Sequence, residues 1–219
     1  MIKGIIFDLD GTLIDSMPLW NSLCVRFLNA QGIHAPEGLN DLVKAMSPAQ
    51  SSAYLQAQFL PDWTAEQIQR GIDQMIEEHY VHDTLCKPYV PELLDAAQAH
   101  GLKLCVATAT DHALSEGVLK KLGLLERFAF VLTCRDVQAG KDSPRIYDCA
   151  AEKLGLRPDE VVIFEDALHC IQTAKRAGYT VVGVYDEALE RDGELEEAQS
   201  LCDRYIYDYR ELLEERNTP

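Results

Sequence analysis

The strongest constraint on this chain lies at its start. Residues 2–7 form a nearly continuous apolar run that leads straight into Asp8-Leu9-Asp10-Gly11-Thr12. An unbroken apolar run of strand length fits a strand buried on both faces of a parallel sheet. Sheets of that kind bind ligands beyond the carboxyl ends of their strands, which is where the two aspartates fall. Similar runs recur at 102–107, 128–132, 161–164 and 180–184. Helix signals separate them. Pro91 suits a first turn and Gly101 an end, Ser143-Pro144 predicts an N-cap with proline at the first helical position, and Gly155 and Gly178 predict helix ends. This alternation predicts an α/β fold with a doubly wound, Rossmann-like parallel sheet.

Between about Asp15 and Cys86 the alternation stops. The spacing there predicts helices over 19–30, 39–45, 48–59 and 65–79, punctuated by Gly32, Pro36, Pro48 and Pro61. The expected organisation is an α/β core built from 1–15 and 86–219, with an all-helical domain inserted over 16–85. Short polar connections at 15–18 and 83–88 are expected hinges.

Composition narrows the chemistry. The 219 residues carry 20 Lys+Arg against 36 Asp+Glu, a net charge of −16. So acidic a surface repels phosphate backbones, which disfavours nucleic acid and anionic membranes as partners. From Asp186 to Arg216 acids outnumber bases twelve to four, and that run is expected to be a solvated face or helix. The seven cysteines show no CxxC or zinc-finger spacing, and their number is odd. Reduced thiols in a cytoplasmic protein are therefore expected. Cys105 and Cys170 sit in apolar patterns and are expected to be packed thiols. The apolar start is too short, and too soon charged, for a signal or a membrane span. His79 and His82 read as the exposed face of a polar helix rather than as metal ligands.

The polar residues after each apolar run carry the functional reading. They are Asp8 and Asp10, then Thr108 with Thr110 and Asp111, then Lys141, then Glu165 and Asp166. Carboxylates crowded at one sheet edge raise one another's cost of ionising unless a cation joins them. A hard, oxygen-liganded ion such as Mg²⁺ meets that need. An ammonium, a hydroxyl and backbone N–H groups suit phosphoryl oxygens, so the set predicts a phosphoryl-transfer site. Asp8 can act as nucleophile, and Asp10 can protonate the leaving oxygen and later activate water.

Asp8-Leu9-Asp10-Gly11-Thr12-Leu13, Thr108 after an apolar run, Gly140-Lys141 followed by Pro144, and Glu165-Asp166 together resemble the four motifs of the haloacid dehalogenase-like hydrolases. The helical insertion resembles the cap of the β-phosphoglucomutase-like branch. The resemblance spans essentially the whole chain. It implies Asp8 as nucleophile and metal ligand, and Asp10 as acid/base that also gives the metal its backbone carbonyl. It implies Thr108, neighbouring Ala109 and Lys141 around the phosphoryl group, with Glu165 and Asp166 binding Mg²⁺. Several positions depart from the family pattern: Ala167 and Cys170 after the acidic pair, Asp142 and Arg145 around Pro144, and Tyr89 where glycine is frequent.

Two further departures bear on the branch. β-Phosphoglucomutases carry a histidine where Trp20 stands, and a basic residue near 46–48, where Lys44 is the only cation close by. The expected activity is therefore Mg²⁺-dependent hydrolysis of a small phosphorylated metabolite, a sugar phosphate or nucleotide, through an aspartyl-phosphate. Phosphohexomutase chemistry is the alternative, and a non-catalytic phosphate-responsive binding protein is a remote one. Ser16, Trp20, Lys44 and Gln50 are the expected contacts to the leaving group. The protein is expected to be a monomer or a weak homo-oligomer.

Overall fold

The computed structural model describes residues 1–43, 46 and 48–214. Six strands form one parallel sheet: β1 (Gly4–Phe7), β2 (Lys103–Thr108), β3 (Val131–Thr133), β4 (Val161–Glu165), β5 (Thr180–Val184) and β6 (Arg204–Ile206). Their spatial order is β3-β2-β1-β4-β5-β6. β1 thus lies inside the sheet, and its four residues are all buried, as its unbroken apolar run requires. The register sets Phe7 opposite Val106 on one side and Phe164 on the other. Asp8 continues the ladder by donating its N–H to the Phe164 carbonyl at 3.0 Å. The motifs after β1, β2 and β4 are therefore level with one another at one sheet edge.

Contacts divide the chain into two compact units, Met17–Asp83 and the remainder. The first consists, among its described residues, of helices α1 (Met17–Trp20), α2 (Leu23–Ala30), α3 (Leu39–Val43), α4 (Pro48–Gln58) and α5 (Ala65–His82). α5 opens with a reciprocal capping box between Thr64 and Gln67. It buries Ile68, Ile72, Ile76 and Tyr80, one residue per turn. At Gly71 an added Cβ would lie 2.6 Å from the Phe27 ring, so the small residue lets α2 approach α5.

The second unit holds the sheet with α6 (Val90–Ala99), α7 (His112–Lys121), α8 (Cys134–Val137), α9 (Arg145–Leu154), α10 (Leu168–Arg176), α11 (Glu187–Arg191), α12 (Leu195–Leu201) and α13 (Arg210–Glu214). Strand residues alternate between two buried layers. Ile6, Cys105, Ile163 and Val181 pack with Ile146, Ala150, Ile171 and Ala174 of α9 and α10. A chain of rings, Phe128–Phe7–Phe164–Tyr209, forms a second packed group. All seven cysteines are free, and Cys105 and Cys170 are buried.

Several boundaries differ from the sequence reading. The helix expected over 19–30 is broken at Ser22, whose hydroxyl donates to the Pro18 carbonyl at 2.5 Å and replaces a backbone partner there. The third strand begins at Val131, after a 3₁₀ turn that ends in Phe128. The fifth helix continues to His82, three residues further than expected. α9 starts at Arg145 with Pro144 as N-cap, while the Ser143 hydroxyl accepts weakly from the Arg145 N–H at 3.4 Å. The acidic C-terminal run is not one helix: it folds as α11, α12, β6 and α13, and Leu189, Ala198, Ile206 and Tyr209 are buried. Of the helix expected over 39–45, residues 44 and 45 lie outside the described residues.

Candidate active site

Asp8, Lys141, Glu165 and Asp166 meet in one buried cluster. Oxygens of Asp8, Glu165 and Asp166 lie within 4.8 Å of one another. The Lys141 ammonium, from the loop between α8 and α9, donates to Asp8 Oδ1 and to Glu165 Oε1, the latter at 2.7 Å. Asp166 Oδ1 accepts from the Thr12 hydroxyl at 3.0 Å. The Gly11 backbone, at φ 76°, makes the sharp turn after Asp10 that brings Thr12 round to the end of β4. Tyr209 steadies that turn by donating its phenol to the Thr12 carbonyl at 3.0 Å.

Asp10 is placed differently. Its carboxylate lies outside the cluster, accepting from the Ser16 hydroxyl and from the Thr110 hydroxyl, each at 2.6 Å. Ser16, an expected contact to the leaving group, is fully buried and donates its hydroxyl to Asp10. Thr108 is buried at the end of β2, where its hydroxyl accepts from the Thr110 N–H at 3.0 Å. Ala109 follows in the exposed turn beyond the strand.

The electrostatics of the cluster are unbalanced. Burial pushes the Asp8 carboxyl well above its ordinary value; Lys141 opposes this, and Glu165, Asp166 and Asp10 add to it. Burial and Glu165 push Asp166 up to about 7. Burial disfavours charge on Lys141, but Asp8 and Glu165 outweigh it and hold the ammonium above the usual lysine range. One ammonium among three buried carboxylates leaves negative charge that a divalent cation would neutralise. The donor set, all carboxylate oxygen, fits a hard ion.

Three residues at this site escaped the sequence reading. Tyr147 donates its phenol to Glu165 Oε1 at 2.8 Å, and burial and Glu165 hold that phenol protonated. Lys87 and Asp186 form a further, partly buried pair, Nζ to Oδ2 at 3.2 Å. Tyr147 lies two residues after Arg145, on the apolar face of α9, and reads as core; Lys87 reads as a linker residue, and Asp186 as the first acid of a long run.

In the helical unit, Trp20 donates its indole N–H to the Tyr80 hydroxyl at 3.2 Å and meets that ring edge-on. Gln50 is exposed, and Lys44 lies outside the described residues. His79 pairs with Asp83 at 3.3 Å and belongs to no metal-ligating group among the described residues.

Residues 5–184 match the family profile of the haloacid dehalogenase-like hydrolases, well over half the chain. The chain belongs to this family. Its relatives include "Putative phosphatase YhcW" of Bacillus subtilis, 29% identical over 90% of this chain and 94% of the relative. The "Phosphorylated carbohydrates phosphatase" of Thermotoga maritima is 28% identical over 81% and 82% of the two chains. Among solved structures, a "putative beta-phosphoglucomutase" from Thermotoga maritima superposes with a TM-score of 0.81, at 25% identity and 94% coverage of both chains. Family and relatives support phosphoric monoester hydrolysis. Among the described residues no helix is long and apolar enough to cross a membrane.

Proposed function

We propose that this chain is a Mg²⁺-dependent phosphatase of small phosphorylated metabolites, sugar phosphates foremost, working through an aspartyl-phosphate. The observation that carries this reading is the convergence of Asp8, Lys141, Glu165 and Asp166 in one buried cluster. The names of the relatives, which include a phosphatase of phosphorylated carbohydrates, favour the sugar class.

In this reading an Asp8 oxygen attacks phosphorus, the ester P–O bond breaks, and the leaving oxygen takes a proton from Asp10. Asp10 then deprotonates a water that attacks the same phosphorus. The bond to Asp8 breaks, which restores the carboxylate and releases phosphate. Lys141, Thr108 and the Ala109 backbone hold the phosphoryl oxygens, and Ser16 and Thr110 keep Asp10 oriented. Asp8, Glu165, Asp166 and the Asp10 carbonyl would hold Mg²⁺, which supplies charge neutralisation for the transferred group. In this reading the helical unit serves as a cap that selects the leaving group, with Trp20 among its substrate contacts.

Phosphate release from a panel of sugar phosphates, nucleotides and small phospho-acids, with and without Mg²⁺, tests the proposal. Release that requires the ion and favours sugar phosphates is expected. Release that survives chelation would remove the metal, and no release from any substrate would remove the activity. The likeness to a chain named for beta-phosphoglucomutase keeps a second reading in play. Trp20, with its indole already bonded to Tyr80, opposes it. A hexose 1-phosphate supplied with trace bisphosphate separates the two: free phosphate is expected, and isomerised sugar phosphate would establish the mutase.

A further inference from the structure

Lys87 holds a position that its place in the linker conceals. Its backbone N–H donates to the Leu13 carbonyl at 2.9 Å, in the turn that follows β1. Its ammonium donates to the Tyr185 carbonyl at 2.7 Å and to Asp186 Oδ2 at 3.2 Å, just past the end of β5. In the sheet, β4 lies between β1 and β5. Lys87 therefore ties the loops on either side of β4 together, and Asp166 emerges at the end of that strand.

The pair is built into the protein rather than lying on its surface. Only 13% of the lysine side chain and 7% of the aspartate side chain are exposed. Asp186 Oδ1 caps α11 by accepting from the Ala188 N–H at 3.0 Å, which leaves Oδ2 for the lysine. Opposite charges so close to neutrality in sum still act separately on a third group, since each sits at its own distance and angle from it. Asp166 follows β4 directly, between the two loops that Lys87 joins, so both charges of the pair act on it from one side of the cluster.

We propose that the Lys87–Asp186 pair sets how tightly the Asp8–Glu165–Asp166 cluster holds a divalent cation, with Lys87 weakening that binding and Asp186 strengthening it. This rests on the reading of the cluster as a metal site. The lysine opposes the accumulation of negative charge that would bind the ion too firmly, and the aspartate keeps the lysine from abolishing binding. Both are positioning residues and touch neither substrate nor ion.

Direct titration of the full chain with Mg²⁺ by calorimetry, and with Mn²⁺ by electron paramagnetic resonance, tests this without turnover. Lys87→Gln removes one positive charge and is expected to tighten binding about three- to tenfold. Asp186→Asn keeps the helix cap and is expected to weaken it by a similar factor. The double variant is expected to lie near the native value. A purely structural role would weaken binding in both single variants, and shifts of the same sign, or none, would overturn the proposal. Should Lys87→Gln fail to fold, Lys87→Met takes its place. If the native chain itself binds neither ion, the metal reading fails, and the inference falls with it.

Discussion

Tyr147 and Lys141 share a single acceptor: both donate to Oε1 of Glu165, at 2.8 and 2.7 Å. That oxygen is thereby occupied from inside the protein, and the other oxygen of the same carboxylate is left for whatever enters the cluster. The phenol fixes which way Glu165 faces. Replacing Tyr147 with Phe keeps the ring in the core and removes only the hydrogen bond. A loss of about 1.5–3 kcal/mol in unfolding free energy is expected, as for a bond to a charged acceptor, together with a several-fold fall in kcat. Denaturant titration and steady-state kinetics check it; unchanged values in both would show the bond to be incidental.

α10 begins just past β4 without a side-chain cap. Ala167 occupies the N-cap in extended geometry, φ −95° and ψ 130°, with no side-chain acceptor for the first turn. Ala167→Ser supplies one, and a gain of about 0.5–1 kcal/mol is expected in denaturant unfolding. A loss would mean that the half-buried site cannot accommodate the hydroxyl.

Tyr89 takes a left-handed conformation, φ 64° and ψ 8°, before α6. Non-glycine residues pay roughly 1 kcal/mol there. The Arg210 guanidinium lies 5.2 Å from the Tyr89 ring centroid and offsets part of that cost. Tyr89→Gly relieves the backbone and loses the stacking, so its stability is expected to stay close to native. Tyr89→Ala keeps the strain and loses the ring, so it is expected to fall below Tyr89→Gly by about 1 kcal/mol. Equal stabilities for the two variants would show that the backbone carries no strain.

Chelation and pH are linked through Asp166. With no divalent cation present its carboxyl is raised to about 7, and an unfolded aspartate titrates near 4. A raised folded value means that the folded chain binds more protons between those two points. Its stabilising contribution is complete below about pH 4 and disappears as pH rises through about 7. The chelated protein is expected to melt at a higher temperature at pH 5 than at pH 8. Saturating Mg²⁺ is expected to restore stability at pH 8, by about 2.7 kcal/mol at a hundred times its dissociation constant. Melting curves at the two pH values, with and without the ion, decide it; an identical response at both would show that the cluster does not titrate.

The parallel sheet and the placing of Asp8, Lys141, Glu165 and Asp166 were legible because each rests on a local pattern: an apolar run that ends in polar residues. The inserted helices were legible as a break in that pattern, although Ser22 split one of them through a hydroxyl that competes with the backbone. β6 escaped because three residues, one of them buried, make too short a signal inside an acidic run. Tyr147, Lys87 and Asp186 escaped for another reason. Their roles depend on which strands are neighbours in space, and that order, with β1 and β5 flanking β4, is not written in the sequence order.

The most direct test of the account asks which atom carries the phosphoryl group. The chain is mixed with a turned-over sugar phosphate and Mg²⁺, quenched in acid and digested, and its peptides are weighed. The account predicts one added phosphoryl group on the peptide that contains Asp8, absent in Asp8→Asn, whose phosphate release is abolished. A label on another residue, or near-native turnover by Asp8→Asn, would contradict it.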